Sequence, residues 1–310
     1  MRVILTGGAG FIGSWTAEVL AREGHEVVVV DDLSTGDPRN LSEVANEVEL
    51  VTIDIRDPDA VNEVFRRKNP DAVIHLAAVV SVDEVAEDPV RGFEVNVRGT
   101  LNLLEAARKH DVKRFVYASS AAVYGDPVGL PIIEDHPTRP KNVYGATKLA
   151  GEALVSAYGG NYGLSTAVLR YFNVYGPRMR AGPYSGVIRK FIEAVLTGKP
   201  ITIFGDGEQT RDFIYVEDVA RANLVALESG ATGVYNIGTG VPTRIADLAH
   251  IVMKVAGKEA PMKHALPRPG DIKHSYADIS KARKELGWSP KTGLEEGLRK
   301  TIEDLRRSLA

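Results

Sequence analysis

Tyr144 and Lys148 bracket the run Tyr144-Gly145-Ala146-Thr147-Lys148, a spacing that puts a phenol and an ammonium on one helix face. A lysine charge beside it favours the phenolate and lowers a tyrosine whose ordinary value is about 10. Such a tyrosine can take the proton of a substrate hydroxyl while a hydride leaves the same carbon. The pair alone is common on helix surfaces, so its company matters. Upstream, the run Ala118-Ser119-Ser120-Ala121-Ala122-Val123-Tyr124-Gly125 ends a β-branched strand. Ligands of parallel α/β sheets bind outside the carboxyl ends of the strands, where a serine can hydrogen-bond an oxygen that changes charge. Asn96 is read either as support behind the site or as a helix residue with a structural hydrogen bond.

A second constellation opens the chain. The turn Gly7-Gly8-Ala9-Gly10-Phe11-Ile12-Gly13 follows a strand and begins a helix. Glycine permits the tight turn and a close backbone approach to a pyrophosphate, and the helix N-terminus offers N–H groups and a positive dipole end. Asp31 ends the next strand, where its carboxylate can accept from the adenine-ribose diol. With Asp32 beside it, the same charge repels a 2′-phosphate and favours NAD over NADP. Asp54 and the Ile55 backbone, after the third strand, are placed at the adenine edge.

The elements that carry these groups follow a regular beat. Val3–Leu5, Val27–Val30, Val48–Ile53, Ala72–Leu76, Phe115–Ser119 and Thr166–Tyr171 read as strands, nearly continuous in aliphatic residues, as parallel strands covered on both faces are. Helices are expected near Phe11–Glu23, Pro58–Lys68, Arg91–His110 and Tyr144–Tyr158. The alternation predicts an α/β fold, a Rossmann-type doubly wound parallel sheet. The second half loses the beat. Gly and Pro gather at Gly176–Gly186, Gly198–Gly207 and Pro267–Gly270, with helices near Val187–Leu196, Val216–Glu228, Ile245–Val255 and Leu294–Leu305. Val234–Ile237 is apolar enough to rejoin the main sheet. The expected division is an NAD-binding domain over 1–170 with a strand-helix return near 213–238, and a smaller C-terminal α/β substrate-binding lobe over 171–212 and 239–310.

The 310 residues carry a net charge of -3, which gives no general attraction to nucleic acid or to an anionic membrane. No apolar run reaches bilayer length. The absence of cysteine excludes disulfides and thiolate chemistry, and the scattered histidines lack metal-ligand spacing. A first strand beginning at Val3 leaves no room for a signal peptide, so a cytoplasmic, metal-free protein is expected. Gln209 is the only glutamine and arginine outnumbers lysine, a bias read as heat adaptation.

Together these residues resemble the extended short-chain dehydrogenase/reductase family, and within it the UDP-sugar 4-epimerases. The resemblance spans essentially the whole chain through Thr6–Gly13, Asp31-Asp32-Leu33, His75-Leu76-Ala77-Ala78, Ser119–Gly125, Tyr144–Lys148 and Arg170-Tyr171-Phe172-Asn173. It continues in Phe204-Gly205-Asp206-Gly207, Thr210-Arg211-Asp212-Phe213, Asn236-Ile237-Gly238 and Arg268-Pro269-Gly270-Asp271. It implies that Tyr144 is the acid/base, Lys148 its electrostatic partner and a nicotinamide-ribose ligand, and Ser120 a contact of the sugar 4-oxygen. The implied cofactor residues are Gly7, Gly10, Phe11, Ile12, Gly13, Asp31, Asp32, Asp54, Ile55, Leu76, Ala77, Ala78, Asn96, Ser119, Tyr144, Lys148 and Tyr171. The implied substrate residues are Ser120, Tyr144, Asn173, Val187, Thr202, Phe204, Arg211, Arg268 and Asp271. Asn173 would bind the diphosphate, Arg211 and Arg268 would neutralise it, Phe204 would line the uridine pocket, and Asp271 would lie near the ribose or Arg268.

The implied activity interconverts UDP-galactose and UDP-glucose through a transient 4-keto sugar, with NAD recycled in place. UDP-glucuronate epimerisation is the alternative substrate, and a non-catalytic NAD-binding protein the alternative class. Dehydratases and decarboxylases of the family carry an acid just after the active-site hydroxyl residue, where this chain has Ala121 and Ala122, which favours epimerisation. Val80 stands where some members place a lysine near the cofactor phosphates. Ser275 stands where some have a tyrosine that limits the sugar pocket, so N-acetylated sugars are expected to fit. The family also implies a homodimer built on the helices near Arg91–His110 and Tyr144–Tyr158.

Overall fold

The computed structural model describes residues 1–179, 181–182, 185–268 and 270–309; Pro269 of the resemblance segment lies outside them. The first half lays down β1 (Arg2–Thr6), α1 (Phe11–Arg22), β2 (Glu26–Asp31), β3 (Val48–Thr52), α2 (Pro58–Lys68) and β4 (Ala72–His75). Next come α3 (Val82–Glu87), α4 (Pro89–Phe93), α5 (Gly99–Lys109), β5 (Arg114–Ser120), α6 (Val143–Tyr162) and β6 (Ser165–Tyr171). The second half adds β7 (Asn173–Tyr175), α7 (Val187–Thr197), β8 (Ile201–Phe204), β9 (Thr210–Tyr215), α8 (Val216–Glu228) and β10 (Gly233–Ile237). It ends with β11 (Pro242–Arg244), α9 (Ile245–Ala256), β12 (Met262–Ala265), β13 (His274–Ser275) and α10 (Leu294–Leu309).

Seven strands form one parallel sheet in the order β10-β6-β5-β4-β1-β2-β3. Its strands are aliphatic throughout because both faces are covered. Val3, Leu5, Val27 and Val29 join one buried cluster, while their neighbours Ile4, Val28 and Val30 join the cluster on the opposite face. The order reverses between β1 and β4, so the loops at their carboxyl ends diverge and open a crevice. β10 leaves the second half to pair in parallel with β6, as its apolar sequence predicts.

Local chemistry sets the helix ends. Asp57 caps α2 by accepting from Asp59 and Ala60 N–H, Pro58 follows at the first position, and Asn69 closes it in the left-handed region. The helix expected over Arg91–His110 is present as one continuous run from α4 through a wider helical turn into α5. Asp88 ends α3 and caps α4 ahead of Pro89, and a wide turn at Glu94–Arg98 joins α4 to α5. That turn carries Asn96 inward.

Away from the main sheet, β11, β9, β13 and β7 form a second small sheet, and β8 pairs with β12. With α7, α9 and α10 they enclose a separate apolar core around Phe191, Ile203, Leu248 and Leu298. The stretch Gly198–Gly207, where Gly and Pro gather, holds β8. Among the described residues no helix is long and apolar enough to cross a membrane.

Candidate active site

A cleft of about 530 Å³ opens at the carboxyl ends of the main sheet. At its floor, Gly7 has a φ of 69°, and a Cβ at Gly13 would lie 2.0 Å from the Gly7 carbonyl oxygen. Only glycine lets α1 start so close to the preceding turn. Gly10 caps that helix with no side-chain acceptor, and Gly7, Gly10, Phe11, Ile12 and Gly13 all line the cleft. The first N–H groups of α1 therefore face a cavity, as a bound diphosphate requires.

Asp31 and Asp32 line the same cleft at the end of β2. Asp31 accepts from Ala9 N–H at 3.0 Å and from Leu33 N–H at 2.9 Å, and its burial raises its pKa despite those bonds. Asp54 and Ile55 line it too, the Asp54 carboxylate being clamped by the Arg56 guanidinium, which lowers its pKa.

The opposite wall begins with Leu76, Ala77 and Ala78 after β4. A buried relay holds it. His75 Nδ1 meets Thr6 Oγ1 at 2.7 Å, His75 Nε2 meets Thr100 Oγ1 at 2.9 Å, and Ala77 N–H donates to Thr6 Oγ1. Burial pushes His75 down to about 3, so it is neutral at working pH.

Asn96 stands behind this wall, where the reading of it as support for the site puts it. Its amide accepts from Val79 N–H at 2.8 Å and donates to the Val79 carbonyl and to Thr147 Oγ1, each at 3.0 Å. The inward turn that follows α4 spends the amide on the Val79 backbone and the Thr147 hydroxyl, so Asn96 positions Val79 and α6.

Ser119, Ser120, Tyr144, Lys148 and Tyr171 meet at the far end of the cleft. Asn142 caps α6 by accepting from Gly145 N–H, which fixes the first turn on which Tyr144 stands. The expected influence of Lys148 on Tyr144 is not what dominates. Burial pushes the phenol up to about 12, against a smaller lowering by its hydrogen bond with Ser120. Lys148 Nζ donates instead to the Ala118 carbonyl at 3.0 Å, and burial brings it down to about 8. Ser119 gives its hydroxyl to buried Glu152, which Arg170 holds with two bonds of 2.9 and 2.7 Å. Tyr171 donates to Asn223.

Ser120 and Tyr144 apart, the residues expected to hold the substrate are not among those lining this cleft, and Phe204, Arg211, Arg268 and Asp271 form a linked set next to Asn173. Asn173 Nδ2 donates to the Asp212 carbonyl at 3.1 Å, and Arg211 pairs with the Asp271 carboxylate at 2.5 Å. Asp271 N–H donates to the Arg268 carbonyl, and the Arg268 guanidinium lies 4.2 Å from the Phe204 ring centroid. Thr202 sits on β8 two residues before Phe204, and Val187 begins α7. Asp271 thus reaches Arg268 through its backbone and Arg211 through its side chain.

Three features escaped the sequence reading. Gly186, the side-chain-free cap of α7, lines the cleft, and beside it the buried Ser185 hydroxyl has no partner among the described residues. Glu84 and Arg91 also line the cleft, paired at 3.0 Å. Arg178 lines it from the segment after β7. The Gly-capped α7 follows the cue already applied to α1; the two arginines had no local cue.

Residues 3–238 match the NAD dependent epimerase/dehydratase family. The chain belongs to this family. Among solved structures, it is similar to the UDP-glucose 4-epimerase from Thermotoga maritima with UDP-glucose, at 40% identity over 100% of both chains and a TM-score of 0.96. It is 44% identical to the Thermus thermophilus UDP-glucose 4-epimerase in complex with NAD, over 99% of both chains, with a TM-score of 0.92. It is 37% identical to the UDP-N-acetylglucosamine 4-epimerase from Methanobrevibacter ruminantium, over 99% of this chain and 98% of that one, with a TM-score of 0.94. As in the rest of this NAD-dependent family the cofactor is NAD, and the glycine cradle at Gly7–Gly13 fits a dinucleotide on its own geometry.

Proposed function

We propose that this enzyme interconverts UDP-galactose and UDP-glucose by epimerisation at C4 through a transient 4-keto sugar. The observation that carries this reading is one cleft with the glycine cradle at one end and Tyr144, Ser120 and Lys148 at the other. Held by the Gly7–Gly13 cradle, NAD would supply reversible hydride acceptance at C4. Tyr144 takes the C4 hydroxyl proton and gives it back, while Ser120 hydrogen-bonds the 4-oxygen. Lys148 holds the nicotinamide ribose. Arg211 and Arg268 neutralise the diphosphate with Asn173, and the α7 N-terminus and Ser185 add donors to the same anion. Phe204, Thr202, Val187 and Asp271 bound the nucleotide. Ala121 and Ala122 offer no acid to expel water from the neighbouring carbons, so the cycle closes without dehydration.

In this reading residues 1–170 and the return near 213–238 hold NAD, and residues 171–212 and 239–310 hold the sugar nucleotide. N-acetylated UDP-sugars are a second substrate class, favoured by the short side chain of Ser275, which pairs beside Arg211 on β9. We further propose a cytoplasmic homodimer through the helices near Arg91–His110 and Tyr144–Tyr158, in keeping with exposed Phe93 on α4, Leu101 on α5 and Val143 at the start of α6. Heat adaptation goes with the cysteine-free, arginine-rich composition and is expected to put the thermal midpoint above the ~65 °C at which mesophilic domains end.

The deciding assay incubates pure protein with UDP-galactose, UDP-N-acetylgalactosamine and UDP-galacturonate, with and without added NAD. Formation of UDP-glucose without net NADH supports the proposal. Turnover of the uronate alone transfers the reading to UDP-glucuronate epimerisation, and good UDP-galactose turnover with none of the N-acetyl sugar removes the second class.

A further inference from the structure

The segment after β7 turns back sharply and grips the cofactor helix through one side chain. Arg178 adopts a φ of 68°, in the left-handed region that a residue with a β-carbon enters only at a cost. Its backbone N–H donates to Asp304 of α10 at 3.1 Å. Its guanidinium donates to Ser14 Oγ at 3.2 Å and to Glu18, and lies 4.8 Å from the Trp15 ring centroid. The Trp15 indole N–H in turn donates to the Pro177 carbonyl at 3.3 Å. Glu18 is buried and takes a second ion pair from Arg22 at 2.9 Å.

Ser14, Trp15 and Glu18 follow directly on the cleft-lining residues of α1, while Tyr171, Phe172 and Val174 line the cleft just before Arg178. We infer that Arg178 is a positioning residue that sets the register between the cofactor helix and the strand flanking the sugar, and so the approach of hydride donor to acceptor. The inference rests on the proposed epimerisation. Arg178 borders the cleft but gives its guanidinium to Ser14 and Glu18, and the groups assigned to either ligand remain without it, so the loss belongs to their mutual placement. An error of about 1 Å in such placement costs up to about a hundred-fold in rate.

The test measures kcat, KM, bound NAD and the isotope effect with C4-deuterated UDP-galactose in the parent, Arg178→Ala, Arg178→Lys and Glu18→Gln. The expected result is a kcat at least about ten-fold lower in Arg178→Ala and Glu18→Gln. Arg178→Lys is expected to lie between them and the parent, since it keeps the charge but not the fork. KM and bound NAD should stay within about two-fold of the parent, and the isotope effect should grow as hydride transfer becomes limiting. A kcat within two-fold of the parent overturns the inference, and so does a loss explained by raised KM or released NAD. Should Arg178→Ala fail to fold, Glu18→Gln and Arg178→Lys decide by the same criteria. A parent inactive on UDP-galactose overturns the proposed function and this inference together, whereas an active parent with unaffected variants overturns this inference alone.

Discussion

On the cofactor side of the cleft, α1 begins at Gly10 with no side chain over its N–H groups, and the glycine turn leaves a ready cavity. On the side proposed for the nucleotide, Arg211 is held by Asp271 and Arg268 lies on Phe204. The first half is preorganised by backbone, the second by side chains that must exchange protein partners for a ligand. Backbone preorganisation fits a group that stays through many turnovers. Exchangeable side-chain pairs fit one that enters and leaves each time.

The largest expected effect breaks the chemistry and spares both halves. Tyr144→Phe should lower kcat about a thousand-fold, with bound NAD and KM near those of the parent, measured by steady-state assay and cofactor content. Near-full activity would remove Tyr144 as the proton carrier. Next comes the backbone half. Gly13→Ala forces a methyl against the Gly7 carbonyl, an overpacking of about 1–3 kcal/mol that should lower the thermal midpoint and strip NAD during purification. NAD retained at parental stoichiometry would show that the cradle yields.

The side-chain half should behave differently. Arg211→Ala is expected to raise KM about ten-fold to a hundred-fold with kcat little changed, because the proposed charge-assisted bond to the diphosphate would be lost equally from ground and transition states. A fall in kcat at constant KM would contradict the division. The smallest effect concerns Lys148. Its pKa in the fold, about 8, lies below the ordinary lysine value, so the unfolded chain binds more protons between them. The destabilisation is full below pH 8 and fades as pH rises through the ordinary value of about 10.4. Lys148→Met should therefore be relatively most stable near neutral pH and lose that advantage in alkaline melts; a pH-independent difference would place the proton elsewhere.

The same contrast explains how much of the fold was legible in the sequence. Parallel strands buried on both faces leave aliphatic runs, and glycine turns and capping acids mark their ends, so β1 to β6 and the cradle were legible within a residue or so. The strands β7, β8, β9, β11, β12 and β13 escaped because most are only a few residues long and owe their pairing to tertiary neighbours. Site residues on long elements, such as Tyr144 and Asp31, fell where the motifs put them. The wide helical turn that brings Asn96 to the Val79 backbone was not legible, because no periodicity announces such a turn. Lys148 was correctly expected at the cleft, yet its pairing with Ala118 depends on where β5 ends relative to α6. Arg178 was missed because its partners on α1 are more than a hundred and fifty residues away.

The pairing of β10 with β6 has a consequence for synthesis. β6 leaves the ribosome at Tyr171, but the strand that covers its open edge is complete only at Ile237, after β7, α7, β8, β9 and α8 have emerged. During that interval the nascent sheet carries an uncovered edge strand, which is the surface most exposed to wrong pairing. A chain halted between those points should depend on holding factors that a full-length chain does not need.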